Sequence, residues 1–150
     1  MEVAFNRFVA SLLQSRLHPI LSGNTLLLRY RGRRSGQLIH LPVNYLRVET
    51  GRLLLTSRRE RVWWRNFEGS YPVEVVLRGV RLLGEAKSVE DPAAIAEGLD
   101  KILQARPAWA RGFGVGRDSN GSMNAGDLGQ AAMDRVLVVI ELLSEASAPS

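Results

Sequence analysis

The chain has 150 residues, of which 45% are hydrophobic and 23% charged. A chain of this size forms one compact domain with its own core, and we expect residues 1–144 to form it and residues 145–150 to be a disordered tail. The absence of cysteine excludes disulfides, thiolate zinc sites and cysteine nucleophiles, and two histidines alone leave a metal site unsupported. Because no apolar run approaches the roughly 20 residues that cross a bilayer, we expect a soluble, cytoplasmic protein.

The positive charge is concentrated in one quarter of the chain. The net charge is +5, yet residues 29–65 alone contain ten arginines against two acids, Glu49 and Glu60. Such a concentration creates a strong local field and indicates an anionic partner for this quarter of the chain. The alternative explanation is a GC-rich genome, which supplies arginine without regard to function.

The first predicted element is an amphipathic helix over residues 5–13. Its apolar residues recur at helical spacing with polar residues on the other faces, so we expect it to dock on the protein's own core. The same apolar face would allow a weak association with a membrane surface.

The next part of the chain has the pattern of strands joined by glycine turns, in a meander followed by a hairpin. The predicted strands are 25–31, 37–48, 52–57, 71–79 and 80–87. Pro42 cannot donate a ladder hydrogen bond, so the second strand must have an edge, a bulge or a bend there. Between the meander and the hairpin, Trp63, Trp64 and Phe67 are spaced to anchor one or two helical turns.

The second half of the chain contains a helix and a buried strand. Asp91 and Pro92 form an N-cap and a first turn, and an apolar stripe continues until the next proline. Residues 108–130 predict a loop with a short helix near residues 128–133, and the apolar run 136–143 predicts a strand buried on both faces. Together the elements predict a mainly β fold, a small barrel of about six antiparallel strands with helices packed outside.

No motif of the common hydrolases or nucleotide-binding enzymes occurs in the sequence. The glycines at residues 112–116 follow no predicted strand, so they do not form a dinucleotide-binding turn. The chain also has no phosphate-binding Gly-Lys-Ser/Thr loop and no Gly-x-Ser-x-Gly nucleophile elbow. These classes of enzyme therefore lack their usual parts.

The turn at residues 32–37, Gly-Arg-Arg-Ser-Gly-Gln, has the donors that a phosphate needs. Its glycines allow a close approach of the ligand, and the amides, the Ser35 hydroxyl and the side chains of Arg33 and Arg34 supply neutral and charged donors. A hairpin turn decorated with arginine would look the same, so both interpretations stay open. Because turn side chains seldom carry core packing, we expect Arg33 and Arg34 to be dispensable for the fold.

Five motifs in order give the chain a resemblance to a known family. They are residues 27–37, Pro42 with Tyr45, residues 54–58, residues 63–67 and residues 71–75. In this order they resemble the deazaflavin-dependent nitroreductase family, whose fold is a split β-barrel related to flavin-binding oxidases. The resemblance implies an oxidoreductase that transfers a hydride from reduced coenzyme F-420 to an electron-poor organic acceptor, such as a quinone, an activated alkene or a nitro compound.

The resemblance also implies which residues bind the coenzyme, whose tail carries a phosphodiester and several glutamates. By match to the family's motifs they are Arg33, Arg34, Ser35, Gly36, Gln37, Ser57, Arg58, Trp63, Trp64 and Asn66. The anionic tail would account for the arginine-rich quarter, and a flat apolar pocket beside the tryptophans would admit the acceptor. Plain core packing is an equal explanation for the two tryptophans, because large aromatics dominate cores.

The catalytic residues stay open at this stage. Tyr45, Ser57 and His40 are the candidates for a proton donor, although a structural role is favoured for His40. The alternatives to F-420 are FMN in the same barrel, or a non-catalytic module that binds nucleic acid or another polyanion. Few aromatic residues lie near the arginine turns, which argues against a stable nucleic-acid partner. A homodimer also stays open.

Overall fold

The computed structural model describes residues 24–49 and 51–145, and within them the chain forms seven strands, three α-helices and two short 3-10 helices. The strands are β1 (Thr25–Arg31), β2 (Leu38–Asn44), β3 (Leu46–Glu49), β4 (Arg52–Arg58), β5 (Tyr71–Leu77), β6 (Val80–Val89) and β7 (Arg135–Glu145). The α-helices are α1 (Pro92–Ala105), α2 (Ala110–Phe113) and α3 (Ala125–Asp134), and the 3-10 helices are Trp63–Phe67 and Pro107–Trp109. The amphipathic helix expected at residues 5–13 and residues 146–150 of the expected tail lie outside the described residues.

All seven strands belong to one antiparallel sheet in the order β2-β1-β5-β6-β7-β4-β3. The expected strand count of about six is wrong, because the long second strand is broken at Tyr45. Its first half, β2, pairs with β1, and its second half, β3, pairs with β4 at the opposite edge of the sheet. The sheet therefore curls into a split barrel whose seam lies between β2 and β4. Pro42 lies in the edge strand β2, as its missing N–H requires.

The interior of the barrel is filled by apolar side chains from β1, β4, β5, β6 and β7. The alternation predicted for the hairpin is confirmed: Val73, Val75 and Leu77 of β5 are buried in this interior, whereas Glu74 and Val76 on the other face are less buried. The first 3-10 helix forms where the tryptophan spacing predicts it, and it adds Trp64 and Phe67 to the same core.

The strand β7 is buried on both faces, as its apolar run predicts. Val136 and Val138 pack in the barrel interior, whereas Leu137 packs against α1 in a second core outside the barrel. Gly98 of α1 allows this contact, because a Cβ built at Gly98 would lie only 2.6 Å from Leu137 Cδ2. The helix α1 begins at the predicted cap, where the Asp91 carboxylate accepts a hydrogen bond from the amide of Ala94.

Several boundaries differ from the sequence prediction, among them the end of β5, which lies at Leu77 rather than at residue 79 because Arg78 and Gly79 form the turn, and the end of β6, which lies at Val89 rather than at residue 87. The helix α3 begins at Ala125 rather than near residue 128, because the side chain of Asn124 caps it by accepting from the amide of Asp127. The segment predicted as loop also contains α2, whose left-handed C-terminal residue, Gly114, ends it after one turn. The strand β7 runs to Glu145, beyond the predicted end at residue 143, because β6 still pairs with it there.

Tyr30 gives the barrel interior a measurable pH dependence. It is 4% exposed, and burial, followed by repulsion from an ionised Tyr71, raises the pKa of Tyr30 from 10.0 to about 12. The phenol is neutral when protonated, so the folded state holds this proton more tightly than the unfolded state. The stability that neutral Tyr30 contributes is therefore complete below pH 10.0 and is lost as the pH rises toward about 12.

We expect the absorbance titration of tyrosinate in the folded protein to contain one late phase, and we expect the substitution Tyr30→Phe to remove it. Tyr71→Phe is the matched control, because it leaves the late phase in place and moves it slightly toward lower pH. A folded protein in which all three tyrosines ionise together near their ordinary pKa would contradict this assignment.

Candidate functional site

Six strand ends meet at one end of the barrel, which we call the basic end. The antiparallel order places the C-terminal ends of β1, β4 and β6 beside the N-terminal ends of β2, β5 and β7. The segments there are 31–38, 58–71, 89–92 and 134–135, and they contain eight arginines against five acids. Seven of the ten arginines that the sequence concentrates in residues 29–65 thus lie at one end of the fold, where they raise the local concentration of anions.

The turn at residues 32–37 uses most of its amides inside the protein. The amides that donate internally are those of Gly32, Arg33, Gly36 and Gln37, to Gln37 O, Asn66 Oδ1, Gly32 O and Ser35 Oγ respectively. The amides of Arg34 and Ser35 have no partner among the described residues, and neither has the guanidinium of Arg34. The turn therefore keeps two adjacent amides and one arginine side chain for a ligand, which is fewer donors than the sequence suggests.

Arg33 connects this turn to the first 3-10 helix. Its Nε donates to Asn66 O at 3.1 Å and its Nη2 donates to Glu68 O at 3.0 Å, while the guanidinium lies 4.6 Å from the ring centroid of Tyr71. Asn66 completes the link by donating from Nδ2 to Trp63 O. The expectation that Arg33 is dispensable for the fold stays a prediction, but these contacts favour a contribution to stability, because the side chain links the turn to the 3-10 helix.

The two tryptophans have different environments. Trp64 is 2% exposed and packs in the barrel core, whereas Trp63 is half-buried and packs edge-on against Phe67. The indole N–H of Trp64 is buried and has no hydrogen-bond partner in residues 24–49 and 51–145, and the guanidinium of Arg65 lies 5.1 Å from the ring centroid. Core packing accounts for Trp64, and neither tryptophan lines the two cavities described below.

The remaining predicted residues lie on β2 and β4. Ser57 is 4% exposed and its hydroxyl donates to Arg58 O, while the exposed Arg58 side chain lies 3.7 Å from a carboxylate oxygen of Glu60. His40 is half-buried in β2, opposite Arg29 of β1. Tyr45 is buried at the bend between β2 and β3. The structure thus keeps Ser57 and Arg58 at the basic end and puts Tyr45 at the bend.

A cavity of about 560 Å³, the seam cavity, opens where the barrel is not closed by hydrogen bonds. In the described chain β3 pairs only with the first three residues of β4, so residues 55–58 have one free edge that faces β2. The cavity is lined by Thr25, Pro42, Val43, Asn44, Leu54, Leu55, Thr56, Ile102, Ala108, Trp109, Gly112, Phe113 and Arg135. Its lining is largely apolar and aromatic, with Arg135 as its charged residue.

A second cavity of about 630 Å³, the basic recess, adjoins the seam cavity at the basic end. It is lined by Arg58, Arg59, Glu60, Arg65, Gly112, Phe113, Ala131, Met133, Asp134 and Arg135. Three residues line both cavities, namely Gly112, Phe113 and Arg135. The two cavities therefore adjoin along these three residues, and we call them together the groove, with an apolar half and a basic half.

Arg135 stands at the junction of the two halves, and sequence reasoning missed it. Its Nε donates to Thr56 Oγ1 at 3.1 Å, and its guanidinium carbon lies 4.4 Å from the ring centroid of Phe113. Burial, followed by repulsion from Arg58, lowers the pKa of Arg135, and attraction to Glu60 opposes them. The only local signal in the sequence is an arginine directly before an apolar strand. That pattern does not indicate which other strands pair with this one.

The fold is a curled antiparallel sheet of the split-barrel type, and the chain shares it with solved structures of low sequence identity. No protein-family model and no curated protein matches the chain. Among solved structures it is similar to a protein of unknown function from Agrobacterium tumefaciens, with a TM-score of 0.55 and 14% identity over 90% of this chain and 57% of that one.

Two further solved structures match at 14% identity. One is a protein provisionally assigned as a 5-nitroimidazole antibiotic resistance protein from Bacteroides thetaiotaomicron, with a TM-score of 0.52 over 86% of this chain and 79% of that one. The other is a protein provisionally assigned as a pyridoxamine 5'-phosphate oxidase from Listeria innocua, with a TM-score of 0.51 over 92% of each chain. Among the helices of the described residues, none is both long and apolar enough to cross a membrane.

Proposed function

We propose that the protein is an oxidoreductase that uses reduced coenzyme F-420 to reduce an electron-poor organic acceptor. The observation that carries this proposal is the groove, in which an apolar cavity of about 560 Å³ adjoins an arginine-rich recess along three shared residues. A coenzyme with a flat ring at one end and a polyanionic tail at the other needs both halves.

The donors at the basic end fit the anionic tail. Arg34 has an exposed guanidinium without a partner in the described chain, and it lies beside the two unpartnered amides of the 32–37 turn. Arg58 and Arg65 line the recess, and the carboxylate of Glu60 compensates only part of this charge. Guanidinium groups bind phosphate and carboxylate oxygens in pairs, so these side chains would bind the phosphodiester and glutamates of the tail.

The seam cavity fits a flat ring system. Its volume lies within the range of about 300–1,000 Å³ that is typical of ligand sites, and its lining is mainly apolar with a few polar groups. Trp109 and Phe113 supply aromatic surface, and Thr56 supplies a hydroxyl at its edge. When bound, reduced F-420 supplies the hydride, so the protein's part is to hold the ring, exclude water and orient the acceptor. This cavity takes the place of the pocket expected beside Trp63 and Trp64.

Quinones, activated alkenes and nitro compounds are the acceptors in this proposal. One of the similar structures carries an assignment as a 5-nitroimidazole resistance protein, and a nitroimidazole belongs to this acceptor class. FMN is the second candidate coenzyme, because it combines a similar ring with a single phosphate. It would leave several arginines of the basic end without a role, which is why F-420 is preferred.

The test is a fluorescence titration of protein made in a host that lacks F-420, with F-420 and FMN compared at low and moderate salt. We expect F-420 to bind in the micromolar range or tighter, FMN to bind clearly more weakly, and added salt to weaken F-420 binding. Arg34→Ala should weaken F-420 about three- to tenfold through the loss of one charged contact. Arg47→Ala is the matched control, because Arg47 is an exposed arginine of β3 outside the basic end.

Two results would contradict the proposal in different ways. If FMN binds more tightly than F-420, the barrel is an FMN protein. If neither binds, the enzyme interpretation fails, and the salt dependence of binding to DNA would then test the polyanion alternative.

A further inference from the structure

Arg135 is a half-buried cation that is held in place without a carboxylate partner among the described residues. The bond from Nε to Thr56 Oγ1 and the stacking against Phe113 fix the plane of the guanidinium. Its Nη1 and Nη2 atoms donate to no described residue, and no carboxylate of the described chain lies within ion-pair distance of it. The backbone carbonyl of Arg135 accepts from Arg59, which ties the start of β7 to the end of β4.

The charges around Arg135 do not compensate it. Arg58 repels it and Glu60 attracts it more weakly, while Asp134 interacts with Gln130 rather than with its neighbour. A partly desolvated charge without a partner costs free energy, and such groups are retained where they bind a ligand. The free edge of the guanidinium offers two parallel N–H donors, which is the geometry that a carboxylate accepts.

The apolar half of the groove begins at the same residue. Pro42, Val43, Leu54 and Trp109 line the seam cavity, which adjoins the basic recess at the Phe113 ring on which Arg135 stacks. A ligand whose anionic group reaches Arg135 therefore has its remaining atoms against apolar surface. A neutral apolar ligand would leave the cation unpaired, and a small inorganic anion would leave the cavity unfilled.

We propose that the seam cavity binds a small organic monoanion, with a flat apolar body in the cavity and a carboxylate on Nη1 and Nη2 of Arg135. This inference rests on the proposed function only for the role of the ligand: the coenzyme ring would share the seam cavity with the anion, which would then be the electron acceptor, and arylpropenoates are the activated alkenes that fit. Binding itself requires no coenzyme.

The experiment is isothermal titration calorimetry of the coenzyme-free protein with trans-cinnamate and with trans-cinnamamide, which has the same shape but no charge. We expect cinnamate to bind at least about tenfold more tightly than cinnamamide, since a hydrogen-bonded charge contributes more than a neutral group. Arg135→Gln should remove this difference and leave the amide within about twofold of its original affinity. Arg47→Gln, at an exposed arginine that lines neither cavity, should change neither.

Gly112→Leu tests the position of the apolar body. A Cβ built at Gly112 meets nothing within 4 Å, so there is open space where a side chain would begin, and Gly112 lines both halves of the groove. We expect the variant to fold normally and to lose both ligands, and a thermal melt of each variant checks the fold. Equal affinities for cinnamate and cinnamamide, or unchanged cinnamate binding by folded Arg135→Gln, would overturn the inference.

The outcomes also separate this inference from the proposed function. Cinnamate binding through Arg135 without any affinity for F-420 would end the proposed function and leave the anion site standing. If F-420 binds but cinnamate binds no more tightly than cinnamamide, the proposed function stands and the anion site is ruled out.

Discussion

Replacing Trp64 with alanine should lower the free energy of unfolding by about 3–5 kcal/mol. The side chain is 2% exposed and belongs to the main core together with Phe67, so its loss leaves a cavity there. Domains of this size have total stabilities of about 5–15 kcal/mol, so the variant loses a large share. Urea unfolding followed by circular dichroism measures the effect.

Two further variants serve as controls for the Trp64→Ala result. Trp64→Phe keeps an aromatic ring and removes the buried N–H that has no partner, so we expect it to cost only about 1–2 kcal/mol. Trp63→Ala should cost less than Trp64→Ala, because Trp63 is only half-buried. If Trp64→Ala were as stable as the parent protein but bound F-420 more weakly, Trp64 would be a coenzyme contact and the core assignment would be wrong.

The local parts of the fold could be predicted because their signals are local. The β5–β6 hairpin follows from strict alternation and from a turn at Arg78 and Gly79, both of which adopt positive φ. The helix α1 follows from its cap at Asp91 and its apolar stripe, and the first 3-10 helix follows from its clustered aromatics. In each case the residues that determine the element lie within the element.

The parts that sequence reasoning missed depend on residues far apart in the chain. The bend at Tyr45 exists because β2 and β3 pair with different strands at opposite edges, which no local pattern encodes. The seam cavity results from that bend. Arg135 becomes a site residue because β7 inserts between β6 and β4, which brings it to Thr56, 79 positions away. The turn at residues 32–37 was found from its composition, but only the structure reveals which of its donors are already used.

Arg33 and Arg34 are neighbours in sequence, but we expect Arg33 to contribute mainly to stability and Arg34 mainly to F-420 binding. Replacing each one separately therefore tests the roles assigned to the basic end. Arg33→Ala removes two hydrogen bonds to the carbonyls of Asn66 and Glu68 and the stacking over Tyr71. Net hydrogen bonds of about 0.5–1.5 kcal/mol each, with about 0.5–1 kcal/mol for an exposed cation–π contact, predict a loss of about 2 kcal/mol in stability. Arg34→Ala should change stability by less than about 0.5 kcal/mol, because its side chain has no partner in the described chain.

We expect the affinity for F-420 to depend more on Arg34 than on Arg33. Arg34→Ala weakens binding directly, since Arg34 is a free cation beside the two unpartnered amides of the turn. Arg33→Ala should weaken F-420 binding only indirectly, because the turn loses its attachment to the 3-10 helix. Arg33→Lys keeps the charge but not the paired hydrogen bonds, so we expect it to lose as much F-420 affinity as Arg33→Ala. Urea unfolding and coenzyme titration of the same three variants measure both quantities. A full rescue of affinity by Arg33→Lys with no recovery of stability would mean that Arg33 binds the tail by its charge, and that its bonds to the loop are broken when the ligand is bound.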